Sequence, residues 1–140
     1  MKENSLNDEW EIRQKLAHCY HLVDYFGWTE TIFNHISARV PGKEHHYLVN
    51  PFGLNYSEVT PENLLKVDLD GNKVETSEYE ANPAGFALHS AVHGARDDIH
   101  CLIHTHTTPI SAIVQKKDGF KYDSFYGAQL YGRVGYHAFE

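Results

Sequence analysis

Residues 103–109 read IHTHTTP, and His104 and His106 stand two apart in a short apolar run. On a β-strand, residues two apart point to the same face. Their side-chain bases are then roughly 6.5 Å apart, from about 3.3 Å of rise per residue. Two imidazoles can converge on one ion from that separation, at about 2.0–2.1 Å per bond if the ion is zinc. In a helix the two would diverge, so the metal reading depends on a strand here. The alternative is a polar pair at a strand end. Catalytic zinc takes three protein ligands plus water, so a third ligand is needed. His35, His89, His93 and His137 are candidates, and spacing does not choose among them. His100 shares the strand face but lies roughly 13 Å along the strand from His104, too far to join.

His89 and His93 stand four apart, on one face of a helix. The stretch reads HSAVH and lacks the Glu of the HExxH metal pattern. The alternative to a second metal site is a helix face with one buried and one exposed histidine. NPFG (50–53) and NPAG (82–85) are two Asn-Pro-x-Gly turns able to present backbone N–H groups to an anion. The second opens a helix, whose dipole favours negative charge. Each is equally a good plain turn. No serine stands in a GxSxG elbow, and neither GxGxxG nor GxxxxGK[ST] occurs, which removes the usual triad and nucleotide-phosphate readings.

The elements that must position these residues follow from periodicity. Ile12, Leu16, Cys19, Val23 and Phe26 recur at helical steps, predicting a helix over 7–26 with Asp8 and Glu9 at its start and Gly27 at its stop. Residues 32–40 and 46–50 read as strands. LLKVDLDGNKVE (64–75) reads as a hairpin turning at Asp70-Gly71, preceded by one helical turn at Thr60–Leu64. Asn82 and Pro83 open a second helix, and 99–106 forms an apolar strand. A further short helix is expected near SAIVQKKDG. The aromatic, glycine-rich residues beyond it carry no clear assignment. No internal repeat, low-complexity stretch or linker is evident.

Composition narrows the function. The chain has 140 residues, 41% of them hydrophobic and 22% charged, with a formal net charge of −7. That balance opposes a broad nucleic-acid surface, which needs a basic face. No apolar run reaches the length of a membrane span. The opening MKENSLNDEW lacks a signal peptide's apolar region, so the expected location is cytoplasmic. Cys19 and Cys101 are too few for a disulfide framework and read as two buried thiols.

Taken in order, these pieces resemble the class II aldolase/adducin family from about residue 8 to the last residue. The pieces are GWTETIFNHISARVPG, HHYLVNPFGLNYSEVTPENLLKVDLDGN, NPAGFALHSAVHGARDDIHCLIHTHT and YGRVGYHAFE. The ordered set is specific where no single piece is, and the likeness is greatest to the adducin-like branch. It implies an α/β fold, an α/β/α sandwich around a mainly antiparallel sheet, often assembled as homo-tetramers. It also implies that 1–140 is one domain, expected to be incomplete at its C-terminus. In the aldolase branch zinc is held by the two histidines of HxH and a third farther along. His104 and His106 match the first two, and the third would lie beyond residue 140.

The departures matter as much. Aldolases of this family carry Ser-Ser-Glu before the helix, where the Glu is the acid/base and zinc stabilises the enediolate. Counting back from His89, those positions are Pro83, Ala84 and Gly85, so the base is missing. The family's Gly-Asn-x-Ser becomes Asn34-His35-Ile36-Ser37, and its Thr-Gly becomes Phe52-Gly53. The resemblance therefore implies metal ligands His104 and His106 and a substrate cleft at His35, Asn50, Gly53, Asn82 and Gly85. The expected function is a divalent-metal centre, of zinc type, acting as a divergent lyase on a small hydroxy-carbonyl compound, with His35, Tyr126 or Tyr131 moving the proton. The alternative is a non-catalytic assembly or interaction domain like an adducin head.

Overall fold

A computed structural model describes residues 2–42 and 44–137. It divides into two compact units, Met1–His106 and Thr107–Glu140.

The first unit is a four-stranded antiparallel sheet with helices on both faces. Helix α1 (Lys2–Tyr25) precedes β1 (His35–Arg39), β2 (Tyr47–Val49), β3 (Leu65–Val67), α2 (Pro83–Ala95) and β4 (Cys101–His104). The strand order is β3-β2-β1-β4. In register, Ser37 faces Val49, His35 faces His104 and Tyr47 faces Val67. The α/β/α arrangement expected from the sequence is present.

Side chains alternate across a strand, and β1 shows the consequence. Ile36, Ala38 and Val40 pack with Leu16, Tyr20 and Val23 of α1, together with Leu48, Tyr56 and Val59. His35 and Ser37 turn to the other face, where Ser37 meets His89 and His93 of α2. On that same face, Tyr47, Val49, Leu65 and Val67 form a second cluster with Phe86 and Tyr79.

Helix α1 begins earlier than residue 7. Glu9 is therefore interior: it accepts from Arg13 at 3.0 Å and from Lys66 at 2.8 Å. Arg13 also donates to the Leu64 carbonyl at 2.8 Å, tying α1 to the approach to β3. At its far end Gly27 takes φ 67 and the Trp28 N–H donates to the Val23 carbonyl at 3.0 Å, a Schellman closure that needs the left-handed residue glycine supplies. Arg39 donates to the carbonyls of His93 at 2.6 Å and Arg96 at 3.0 Å, placing a cation at the C-terminus of α2.

Further sequence expectations change. The predicted 64–75 hairpin reduces to β3 and one bridge, Val67 to Lys73, because the Asp68 carboxylate takes the Asp70 and Asn72 N–H groups and closes the turn locally. The strand over 99–106 is only Cys101–His104, so His106 stands just past its end. Cys101 is exposed and Cys19 half-buried; β4 is a sheet edge, and an edge strand leaves one side open. His89 and His93 are both buried, at 2% and 0% exposure, because one serine bridges them.

The second unit holds α3 (Thr108–Val114) and α4 (Phe125–Ala128). Helix α3 starts ahead of the predicted SAIVQKKDG, with Thr107 as cap residue and a proline in its first turn. Ser124 Oγ accepts the Gly127 N–H at 3.0 Å and opens α4.

Candidate metal centre

A line of imidazoles crosses the α2 face of the sheet. His35 on β1 and His104 on β4 are direct cross-strand partners, and this register is what joins residues 69 positions apart. His35 Nε2 lies 3.3 Å from His104 Nδ1. His104 Nε2 lies 2.8 Å from His106 Nε2. His106 Nδ1 lies 2.5 Å from Glu30 Oε2. On the inner side, the His35 and His89 rings are 4.3 Å apart. His89 Nδ1 and His93 Nε2 then share Ser37 Oγ, at 2.6 and 2.8 Å.

The chain enters this site through strained backbone. Thr31 and Asn34 have φ of 51° and 69°, left-handed values that β-branched Thr rarely adopts. Thr31 lies inside, and Asn34 directly after, the turn that closes the Phe33 N–H onto the Glu30 carbonyl at 2.9 Å. The turn sets Glu30 and His35 at its two ends, and such strain gathers at functional segments.

Burial and neighbours favour neutral imidazoles. Burial, with the nearby His104, holds His35 down to about 4. Burial, then His35 and His93, brings His89 to about 3. Burial and the Arg39 guanidinium bring His93 to about 4. His104 is lowered by burial and by His106, against the pull of Glu30. A neutral imidazole is the form that binds a metal.

The sequence-derived residues divide. His35, Gly85, His104 and His106 come together. A Cβ placed on Gly85 would lie 2.9 Å from Cγ, Cδ2 and Nδ1 of His35, closer than real Cβ contacts come, so the missing side chain at 85 and the imidazole at 35 occupy one space. Asn82 lines a small cavity of about 10 Å³ with His35 and Gly85, and with Tyr47, Val49 and Phe86. Asn50 belongs to another network: its Oδ1 accepts from the buried Tyr20 hydroxyl at 2.8 Å. Gly53 is exposed, with φ 96 and open space where a Cβ would go.

Among the third-ligand candidates, His89 and His93 are committed to Ser37. His35 presents its Nε2 to Nδ1 of His104, the nitrogen opposite the one that faces His106. His137 lies in the second unit. Among the described residues, no three His, Cys, Asp or Glu side chains gather around one metal position. The two Nε2 atoms of His104 and His106 do suit an ion: they converge, and each ring's other nitrogen is held, one by Glu30 and one by His35. A carboxylate or similar partner on the outer nitrogen is the usual support of a metal-ligating histidine. Sequence reading missed Glu30, which sits in an irregular turn with no motif around it. It also missed Ser37, whose bridging role follows from strand alternation opposite an i, i+4 histidine pair.

Residues 14–140 match the family model described as the Class II Aldolase and Adducin N-terminal domain. A Caulobacter vibrioides protein, whose name assigns it provisionally to class 2 aldolases, is 44% identical over 132 residues, 94% of this chain and 51% of the relative. Alpha-adducin of Rattus norvegicus is 44% identical over 128 residues, 90% of this chain and 17% of the relative. The crystal structure of an aldolase II superfamily protein from Pseudomonas syringae superposes with a TM-score of 0.91 at 45% identity, covering 95% of this chain and 54% of the other. The chain thus spans about half the length of the first of these relatives.

Proposed function

The chain belongs to the class II aldolase and adducin family, and on that premise we propose that it carries two ligands of a divalent-metal centre in a divergent aldolase-type lyase. The ligands are Nε2 of His104 and Nε2 of His106, and imidazole donors favour zinc. One observation carries the reading: the two Nε2 atoms stand 2.8 Å apart while Glu30 and His35 hold the rings from behind. The third ligand is supplied from outside the described residues. When bound, the metal would act as a Lewis acid that polarises the carbonyl of a small hydroxy-carbonyl substrate.

The chain's own residues bound the rest of the chemistry. Gly85 has no proton to give or take. His35 is 5% exposed and has its Nε2 on His104, which suits it to orient a ligand. Assembly as a homo-tetramer belongs to the same proposal.

Metal analysis of the intact gene product, with and without His104→Ala/His106→Ala, tests the reading. About one equivalent of divalent metal in the native protein, lost in the variant, is expected. An intact protein without stoichiometric metal overturns it.

A second reading is favoured by the contact between Gly85 and His35. With that space filled, the domain would serve as a non-catalytic assembly or interaction module. Aldol cleavage assayed over hydroxy-aldehydes and their phosphates separates the two. Chelator-sensitive turnover removes the second reading, and metal binding without any turnover favours it.

A further inference from the structure

We propose that His35 is the positioning residue of this centre: it sets the tautomer and ring plane of His104, and Gly85 is the gap that admits it. The inference rests on the metal reading above and concerns how that site is held ready.

His35 is fixed on three sides. Its ring is packed 4.3 Å from that of His89. The Gly85 backbone lies where any Cβ would strike it at 2.9 Å. Its Nε2 meets His104 Nδ1 at 3.3 Å, with the two rings nearly perpendicular at 85°. Its Nδ1 is buried without a hydrogen-bond partner among the described residues. His104 is the side chain that bonds this ring, while the Asn34 backbone also favours a proton on it.

A neutral imidazole has one N–H and one lone pair, so with the His106 proton toward Glu30 and the His35–His104 hydrogen bond kept, the row His35–His104–His106–Glu30 has two proton arrangements. In the first, every N–H points toward Glu30. His35 Nε2–H donates to His104 Nδ1, His104 Nε2–H donates to His106 Nε2, and His106 Nδ1–H donates to Glu30. His104 then carries a proton on the nitrogen a metal needs. In the second, His104 Nδ1–H donates to His35 Nε2, and both Nε2 atoms that face each other offer lone pairs. His106 keeps its proton toward Glu30 in either case. Only the second arrangement accepts a metal.

His35 serves both arrangements, as donor in the first and acceptor in the second, without changing the number of protons. A phenyl ring at 35 could do neither. A glutamine could still accept from His104 Nδ1 through its side-chain carbonyl. This also explains the pairing with Gly85: any larger residue there would push the imidazole off His104.

The test uses the intact protein, zinc, and 15N-histidine NMR that reports which ring nitrogen carries the proton. On titration with zinc, His104 and His35 are expected to move together from Nε2–H to Nδ1–H. In competition with a chelator, His35→Phe is expected to weaken zinc binding by about tenfold or more, the usual scale for removing a support of a metal ligand. His35→Gln should recover most of that loss, and Gly85→Ala should resemble His35→Phe. Native zinc affinity in His35→Phe, or a His35 tautomer that ignores zinc, overturns the proposal and leaves the metal centre standing. A native protein that takes no zinc overturns the metal reading itself, before any variant is compared. The NMR measurement on the native protein decides the matter even where a variant fails to fold.

Discussion

The two faces of one strand, β1, obey different rules. Toward α1, Ile36, Ala38 and Val40 enter a dry cluster with Leu16, Tyr20, Val23 and Leu48. On the face toward α2, His35 and Ser37 of the same strand meet three other histidines, His89, His93 and His104. The apolar face gains free energy by area removed from water and is tolerant of which apolar group supplies it. The histidine face pays to desolvate polar groups, and holds only if each finds a partner. One side therefore stabilises the domain. The other fixes a particular geometry, at a cost the first side offsets.

The largest effect is expected where the comparison is broken on the apolar side. Ile36→Ala, fully buried, should cost about 2–5 kcal/mol of stability and leave the residual zinc affinity of the folded fraction unchanged. Denaturant unfolding with a parallel metal titration checks it. A loss of affinity in the folded fraction would show that the two faces are not separable.

Next comes pH, which between about 4 and 6.5 acts on the histidine face. His93 falls from an ordinary value near 6.5 to about 4 in the folded chain. Burial and the Arg39 guanidinium oppose an imidazolium there and outweigh the Ile99 backbone, which favours one; Ser37 and Tyr47 are the ring's neutral neighbours. Between those values the unfolded chain binds the proton and the folded chain does not, so stability rises with pH. The contribution is complete above about 6.5 and lost as pH falls toward 4. At about 1.4 kcal/mol per unit, His93 alone amounts to about 3 kcal/mol. His89, lowered further, steepens the same window. Melting midpoints from pH 4 to 7 measure this. A His93→Phe variant with an unchanged slope would reject His93 as a source.

Smaller still is a pair of identical substitutions in α2. Gly85→Ala forces the His35 ring aside, a strain of about 1–3 kcal/mol, while the helix recovers up to about 1 kcal/mol from losing a glycine. The net loss should be about 1–2 kcal/mol. Gly94→Ala meets only Leu69 Cδ1, at 3.7 Å, and should be neutral or stabilise by up to about 1 kcal/mol. Equal effects in thermal melts would mean that the crowding at His35 is not real.

The smallest change in stability should come from Glu30→Gln. Its side chain is about half exposed, so the fold should shift by no more than about 0.5 kcal/mol. Zinc affinity should still fall about tenfold, measured by chelator competition. A stability loss with unchanged affinity would make Glu30 structural.

Part of this was written in the sequence. The i, i+3, i+4 recurrence from Ile12 to Val23 names the inward side of α1, with Leu16 and Val23 buried, but Phe26 lies past the helix end at 55% exposure; Asn82-Pro83 marks where α2 begins. Alternation in 32–40 already separates Ile36 and Ala38 from His35 and Ser37. The HxH spacing put His104 near His106, and their rings do meet, although the strand on which that expectation rested ends at His104. Illegible were the turn at Glu30, which has no periodicity, and the partner of Gly85, which lies fifty residues away.

The sequence by itself determined which residues share a face, because the periods of helix and strand are local properties of the backbone. It also determined that position 85 carries no acid or base. The tertiary structure alone decided which faces meet. Pairing β1 with β4 in the register His35 to His104 sets Nε2 beside Nδ1, and packing α2 across the sheet lays Gly85 under the same ring. Such contacts depend on register and helix placement summed over the whole fold, and no local pattern encodes them.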